Sequence, residues 1–171
     1  MASHSSKAHN ELTGVTSAQH HALPTSAELA FGIACRVWRN GNQDIPSGAP
    51  TKVLFNAENY DLGSNFDADG ADSNFTVPSA GYYLVQSILQ MMALSASTTI
   101  QTHVYKNGVA IAVGSRKTGG GGGENSIAAF TIEHFAINDV IDIRIKHMEG
   151  TNKNLASGST KSFCQIRKVG V

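Results

Sequence analysis

Apolar and polar residues alternate along most of the chain beyond residue 29. Phe31, Ile33, Cys35 and Val37 occupy every second position, and side chains two residues apart lie on the same face of a β-strand. The alternation returns in the segments 82–94, 100–106, 109–113, 127–135, 141–146 and 163–169. Turn residues separate these segments and no amphipathic helix pattern intervenes. The chain is therefore predicted to be all-β, a jelly-roll β-sandwich.

Two glycine-containing segments predict how neighbouring strands are joined. Asn107-Gly108 is a strong signal for a two-residue hairpin turn, because such turns need positive φ at both central positions. A run of five glycines predicts a flexible loop tip, and loop tips often carry function. The glycines proposed to contact a receptor or glycan are Gly119, Gly121 and Gly123.

The longest strand pattern starts at Gly81 and has two apolar faces. Its side chains divide into two sets, Tyr83, Val85, Ser87 and Leu89 on one face and Tyr82, Leu84, Gln86 and Ile88 on the other. A strand that is apolar on both faces is typically buried on both faces. We therefore expect the core to cover one face and a neighbouring subunit to cover the other.

Residues 1–28 differ in composition from residues 29–171, which form the predicted head. They contain four of the seven histidines and many Ser, Thr and Ala residues, with few large apolar side chains. Such a segment cannot bury enough apolar surface to fold alone, so it is predicted to be an extended arm that docks on a partner. His4, His9, His20 and His21 are interpreted as polar arm residues, with metal binding between three copies as the alternative.

Charge and targeting patterns exclude several classes of protein. The 13 basic residues balance the 13 acidic ones, so the chain lacks the basic patch of a nucleic-acid-binding protein. No apolar run is long enough to span a membrane, and the first residues lack the apolar segment of a signal peptide. Synthesis in the cytosol is expected. Cys35 and Cys164 are expected to be free thiols, with a disulfide between the first and last strands left open.

Several short motifs, taken in order, resemble the globular head of the complement C1q/tumour necrosis factor superfamily. They are Phe55-Asn56, Tyr60-Asp61, Phe75-Thr76-Val77-Pro78, Gly81-Tyr82-Tyr83, Val104-Tyr105-Lys106-Asn107-Gly108, Val140-Ile141-Asp142-Ile143-Arg144 and Phe163-Cys164-Gln165-Ile166. The resemblance implies a trimeric binding module that is not an enzyme. It places one strand face on a threefold axis, and the proposed trimer-interface residues are Tyr82, Tyr83, Met91, Phe130 and Phe135. Unlike animal members of this family, the chain shows neither a signal peptide nor a collagen-like stalk.

The arm supplies a second resemblance. The segment from Leu12 to Ala22 is similar to a short segment of tailed-bacteriophage virion proteins, and its proposed docking residues are Leu12, Thr13, Gly14, Val15, His20 and His21. An arm and head of this kind imply a homotrimeric protein of the virion surface, assembled in the host cytoplasm. The favoured role is a capsid cement or decoration protein bound to the major capsid protein. The alternatives are a tail-fibre tip that binds a host receptor and a bacterial carbohydrate-binding lectin.

The acidic loop is a second candidate metal site, and no catalytic set of residues stands out. Asp67, Asp69 and Asp72 alternate around Gly70, which suits the oxygen ligands of calcium, although a solvated loop without any cofactor is favoured. Some members of the resembled family bind calcium near this region. Glu133 and His134 are adjacent, so they should point to opposite faces of a strand and cannot form a catalytic dyad.

Overall fold

A computed structural model describes residues 32–68, 72–118 and 123–171. Within these ranges the chain forms β-strands and no α-helix, which confirms the all-β prediction. The strands are β1 (Ala34–Trp38), β2 (Gln43–Ile45), β3 (Thr51–Lys52), β4 (Ala57–Leu62), β5 (Phe75–Thr76), β6 (Gly81–Leu94), β7 (Thr99–Lys106), β8 (Val109–Lys117), β9 (Gly123–Phe135), β10 (Val140–His147), β11 (Lys153–Leu155) and β12 (Phe163–Gly170). No helix among these residues could cross a membrane.

The strands form two antiparallel sheets that face each other. The seven-stranded sheet has the order β2-β11-β6-β12-β1-β4, with β9 paired to the free edge of β6. The five-stranded sheet has the order β3-β10-β7-β8, with β5 paired to β10. Strand β6 is central because it pairs with β9 along one edge and with β12 and β11 along the other.

The core lies between the sheets and is built from the inward positions of each strand. Along β6, odd-numbered residues from Tyr83 to Met91 are buried and even-numbered residues are partly or largely exposed, as the period of a strand requires. Aromatic rings fill one end of the core. The ring of Tyr83 lies edge-on to Phe75 and to Phe135, with centroids 6.1 and 5.9 Å away, a favourable geometry for aromatic pairs.

Two local predictions agree with the observed backbone. Asn107 and Gly108 join β7 to β8 with φ of 50° and 80°, the positive values expected for a two-residue hairpin. The first and last strands, β1 and β12, are neighbours in the sheet. Cys35 and Cys164 lie on the inward face of these strands as buried free thiols, so no disulfide joins them in this structure.

Strands β8 and β9 approach each other closely at Gly114. A Cβ added at Gly114 would overlap with the carbonyl oxygen of Ala128. Only glycine allows the two backbones to pack at this distance. Gly114 therefore permits the close approach of β8 and β9 at this point.

Candidate interaction surface

The outward side of β6 and β9 carries an exposed apolar cluster. Leu84 lies opposite Ile132, Gln86 opposite Phe130, and Ile88 opposite Ala128, and directly opposed side chains of antiparallel strands lie on the same face. We call this cluster the apolar face. It comprises Tyr82, Leu84, Ile88, Ala128, Phe130 and Ile132.

The largest side chains of the apolar face are far from buried in a single chain. Phe130 is 73% exposed, Ile132 is 62% exposed and Tyr82 is 47% exposed. Single exposed apolar residues are common, but a contiguous apolar patch on a soluble protein marks an interaction surface. Burying one such side chain contributes about 1.5–3 kcal/mol. The apolar face therefore favours contact with another protein surface.

Polar and aromatic groups surround the apolar face. His134 packs edge-on against the ring of Tyr82, with centroids 5.2 Å apart. Toward β12, the guanidinium carbon of Arg36 lies 3.9 Å above the ring centre of Phe163 and covers that ring, which is buried. Arg36 also donates a hydrogen bond to the carbonyl of Ser159, at 3.1 Å. An apolar centre with a polar rim is the usual arrangement of a protein–protein interface.

The structure corrects three of the proposed trimer-interface residues. Tyr83, Met91 and Phe135 have no exposed surface in the single chain, because their positions on β6 and β9 point into the protomer core. They contact their own subunit and are not available to a second one. Tyr82 and Phe130 do lie on the exposed face, and their contact with a neighbouring subunit remains a prediction.

The predicted glycine loop and arm lie mainly outside the described residues. Gly123 does not belong to a loop tip, because it begins β9 and pairs with Leu94. Gly119 and Gly121 lie outside the described residues. The same applies to the arm and its docking residues, Leu12, Thr13, Gly14, Val15, His20 and His21.

The acidic loop is described only in part. Asp67 and Asp72 line an open cavity of about 470 Å³, whereas Asp69 lies outside the described residues. The ammonium of Lys52 donates hydrogen bonds to the carbonyl of Asp72 and the side-chain oxygen of Asn74, both at 2.9 Å. No group of three or more His, Cys, Asp or Glu within the described ranges could hold a metal. A lysine at this loop opposes a second cation, and the solvated loop stays the prediction, with calcium as the alternative.

Glu133 and His134 point to opposite faces of β9. Glu133 pairs with the inward residue Tyr83, while His134 pairs with the outward residue Tyr82. The two side chains therefore cannot act on one substrate together, as the strand period predicts. A general acid–base pair must lie within hydrogen-bonding distance of a common reacting group, and this pair does not.

The outward side of the five-stranded sheet has a different character, and no site was predicted there from the sequence. His103 on β7 lies opposite Arg144 on β10 and opposite Val113 on β8. Tyr105 and Lys146 occupy neighbouring outward positions. We call this group the charged face: Gln101, His103, Tyr105, Asp142, Arg144 and Lys146. Their alternation with Ile100, Thr102 and Val104 on β7 was the available signal.

Comparison with solved structures shows a C1q/tumour necrosis factor-type fold. Murine APRIL at pH 5.0 has a TM-score of 0.62 and 17% identity, covering 80% of this chain and 98% of that one. Eiger TNF from S. frugiperda has a TM-score of 0.61 and 16% identity, covering 81% and 92%. The globular domain of zebrafish complement 1qA protein has a TM-score of 0.56 and 13% identity, covering 81% and 97%. No family model and no curated protein matches the sequence.

Proposed function

We propose that the protein is a non-enzymatic binding module and that it forms a homotrimer through its apolar face. The observation that carries this proposal is the exposure of Phe130, Ile132 and Tyr82 side by side on one sheet. A second copy of the chain provides a matching apolar surface, and closed cyclic assemblies satisfy such surfaces without leaving one exposed. The threefold arrangement is supported by the fold, since C1q/tumour necrosis factor family members typically form homotrimers.

Sedimentation of the full chain tests the trimer. We expect the wild-type protein to sediment with three times the mass of the chain. Phe130→Glu should shift the protein to the monomer, because a carboxylate inside an apolar contact would be desolvated without a partner. Val109→Glu is the matched control, since Val109 is 66% exposed at the hairpin between β7 and β8. A monomeric wild type, or a trimer that persists in Phe130→Glu, would reject the proposal.

The proposed location is the surface of a tailed-bacteriophage virion, and the proposed role there is capsid cement or decoration. The support is the resemblance of the arm segment from Leu12 to Ala22 to virion proteins, together with one head per chain. In this role the arm docks on the major capsid protein and three heads project from the capsid. The same arm resemblance also supports the second candidate, a tail-fibre tip that contacts a host glycan or protein.

Electron microscopy of particles distinguishes the two roles. The cement role predicts trimeric density at threefold positions of the capsid, and density at the tail end would reject it. Particles that lack the protein should lose capsid stability under heat or osmotic shock while adsorption to the host is kept. Deletion of residues 1–28 should leave a trimer that no longer binds particles. Continued binding of that variant would show that the arm is not the docking element.

A further inference from the structure

His103 is a buried polar group at the centre of the charged face. It lies on β7 between β10 and β8 and is only 8% exposed, although its strand position points away from the core. Neither ring nitrogen has a hydrogen-bond partner within the described residues. A buried polar group without a partner costs about 1–3 kcal/mol, and native structures rarely keep one without a reason. The histidine therefore points to a missing hydrogen-bonding partner.

The groups around His103 define the charge of that partner. Arg144 and Lys146 both act electrostatically on the imidazole. The ammonium of Lys146 makes no hydrogen bond or ion pair with the residues that the structure describes. The two cations outnumber the one carboxylate of the charged face, Asp142, so the surroundings of the histidine carry net positive charge, which repels a metal ion and attracts an anion. The partner is therefore negatively charged.

Arg144 is held in a fixed orientation. Its Nε and Nη2 donate hydrogen bonds to the two carboxylate oxygens of Asp142, at 2.7 and 3.1 Å. Its guanidinium carbon also lies 3.9 Å from the ring centre of Tyr105. The Nη1 group donates no hydrogen bond within the described part of the chain. A guanidinium that is already oriented binds an oxyanion with little further loss of entropy.

We propose that His103, Arg144 and Lys146 form a binding site for an oxyanion, either a carboxylate or a sulfate group carried by a ligand. The imidazole would donate to the anion, with Lys146 and the Nη1 group of Arg144 as further donors. The ring nitrogens are screened from solvent, so a neighbouring side chain must move to admit the anion. Lys146 is free to move because it makes no hydrogen bond or ion pair within the described residues, whereas Arg144 is fixed by Asp142 and Tyr105. This site is separate from the apolar face and does not depend on the trimer.

The site should bind more tightly in weakly acidic solution. Burial, followed by Lys146 and Arg144, lowers the pKa of His103. The other charged or titratable groups on the described part of this outward side are Asp142, Tyr105 and Lys52, which lies opposite Arg144 on β3. Strand β8 contributes Val113 and Ser115 opposite β7. A bound oxyanion favours the imidazolium, so it raises the pKa of His103 toward or above the ordinary value. By linkage, protonation of His103 must then tighten anion binding by the same factor.

The experiment measures binding of two probes, inorganic sulfate and glucuronate, to the full chain in chloride buffers of constant ionic strength. Calorimetric titrations at about pH 5.5 and about pH 8 bracket the ordinary imidazole pKa. We expect about tenfold tighter binding at the lower pH, the factor that corresponds to one unit of pKa. The C2 proton resonance of His103, identified by its loss in His103→Gln, should report a higher pKa when the probe is present. Binding of only one probe would identify the chemistry of the ligand group.

Matched variants distinguish anion binding at this site from a general attraction of the anionic probe to surface cations. Lys146→Gln should weaken binding of the effective probe at least tenfold, and His103→Gln should remove the pH dependence. Lys161→Gln is the control, since Lys161 lies in the loop before β12 and pairs with Glu124 at 3.1 Å. Three results would overturn the proposal: binding of neither probe, equal binding at both pH values, or equal weakening in Lys161→Gln and Lys146→Gln. Thermal unfolding of each variant checks that it is folded.

Discussion

On the outward side of the seven-stranded sheet, Tyr82, Phe130 and Ile132 are exposed, whereas on the outward side of the five-stranded sheet the polar residue His103 is buried. Both faces come from strands with the same alternation, and both back onto the same core. Most inward residues are apolar in both sheets, so the fold does not require the difference. The difference lies in the outward residues, which are apolar and exposed on one sheet and include a buried histidine on the other. The comparison identifies two surfaces of different chemistry on opposite sides of the sandwich.

Each face has a group that the single chain leaves in an unfavourable environment. The apolar face exposes large side chains to water, which a second subunit would cover. The charged face buries an imidazole without a partner, which an anion would supply. Exposed apolar side chains and a buried imidazole without a hydrogen-bond partner differ in chemistry, so they require different binding partners. A protein with these two surfaces could assemble through one sheet and bind a ligand through the other.

The largest expected effect is a loss of stability of the whole sandwich, whose two sheets carry the apolar face and the charged face. Gly114→Ala would place a Cβ against the carbonyl oxygen of Ala128, and a backbone atom cannot move aside cheaply. We expect a loss of about 3 kcal/mol or more in the free energy of unfolding, at or beyond the upper end of the usual cost of overpacking, because the obstructing atom belongs to the backbone. Gly170→Ala is the control, because its added Cβ would meet only Tyr82 side-chain atoms at 3.7 and 3.8 Å. Urea unfolding curves of both variants provide the test. Equal losses in the free energy of unfolding would contradict the close backbone packing of β8 and β9 at Gly114.

The two faces of β6 can be compared by two substitutions of one residue type. Leu89 is buried in the core, while Leu84 lies on the apolar face. Leu89→Ala should cost about 2–5 kcal/mol at every protein concentration. Leu84→Ala should cost less in the monomer and should lower the melting temperature most where the trimer is populated, because subunit binding adds to stability by mass action. Melting temperatures across a concentration series separate these outcomes. A concentration-independent loss in Leu84→Ala would argue that the apolar face binds no second copy.

The strand period explains both the success and the error of the sequence prediction. The strand period correctly predicted the long strand β6 and the division of its side chains between two faces. The error was to group Tyr82 with Tyr83 and Phe130 with Phe135 as one interface. Residues an odd number of positions apart along a strand lie on opposite faces, so parity alone separates these pairs. Ile132 could have been found by the same rule, since it lies two residues from Phe130.

Other elements left weaker signals in the sequence. Strand β4 reads Ala-Glu-Asn-Tyr-Asp-Leu and is mostly exposed, so its residues lack the apolar alternation that predicts a strand. Strands β2 and β11 have three residues each, which is too short for a period to appear. These two short strands form because the neighbouring strand supplies backbone hydrogen-bond partners. The charged face was not predicted as a site because the burial of His103 depends on the packing of β10 beside the β7–β8 hairpin, and β10 is distant from that hairpin in sequence.

A pH titration of stability tests the charged face in the absence of any ligand. Because burial and the two cations lower the pKa of His103, the unfolded chain takes up a proton before the folded chain does. The free energy of unfolding should therefore fall as the pH drops below about 6.5, the ordinary imidazole value, toward the lowered pKa of His103. In His103→Gln this part of the decrease in the free energy of unfolding should be absent. Urea unfolding of both proteins in chloride buffer gives the comparison, and sulfate should reduce the fall in the wild type. Identical pH profiles of the two proteins would contradict the assigned environment of His103.

The smallest expected effect concerns the two thiols beneath the seven-stranded sheet. Burial raises the pKa of both Cys35 and Cys164, so little reactive thiolate is present and alkylation must wait for the sheet to open. If subunits cover the apolar face, opening should be rarer in the trimer than in the monomer. We expect Phe130→Glu to speed alkylation of both thiols by iodoacetamide, measured by mass spectrometry of the quenched protein. His103→Gln should leave the rate unchanged at a pH above the window of the imidazole titration, because it alters the opposite sheet. A rate that rises equally in both variants would mean that the two faces are not independent, since loosening either sheet would then expose the same thiols.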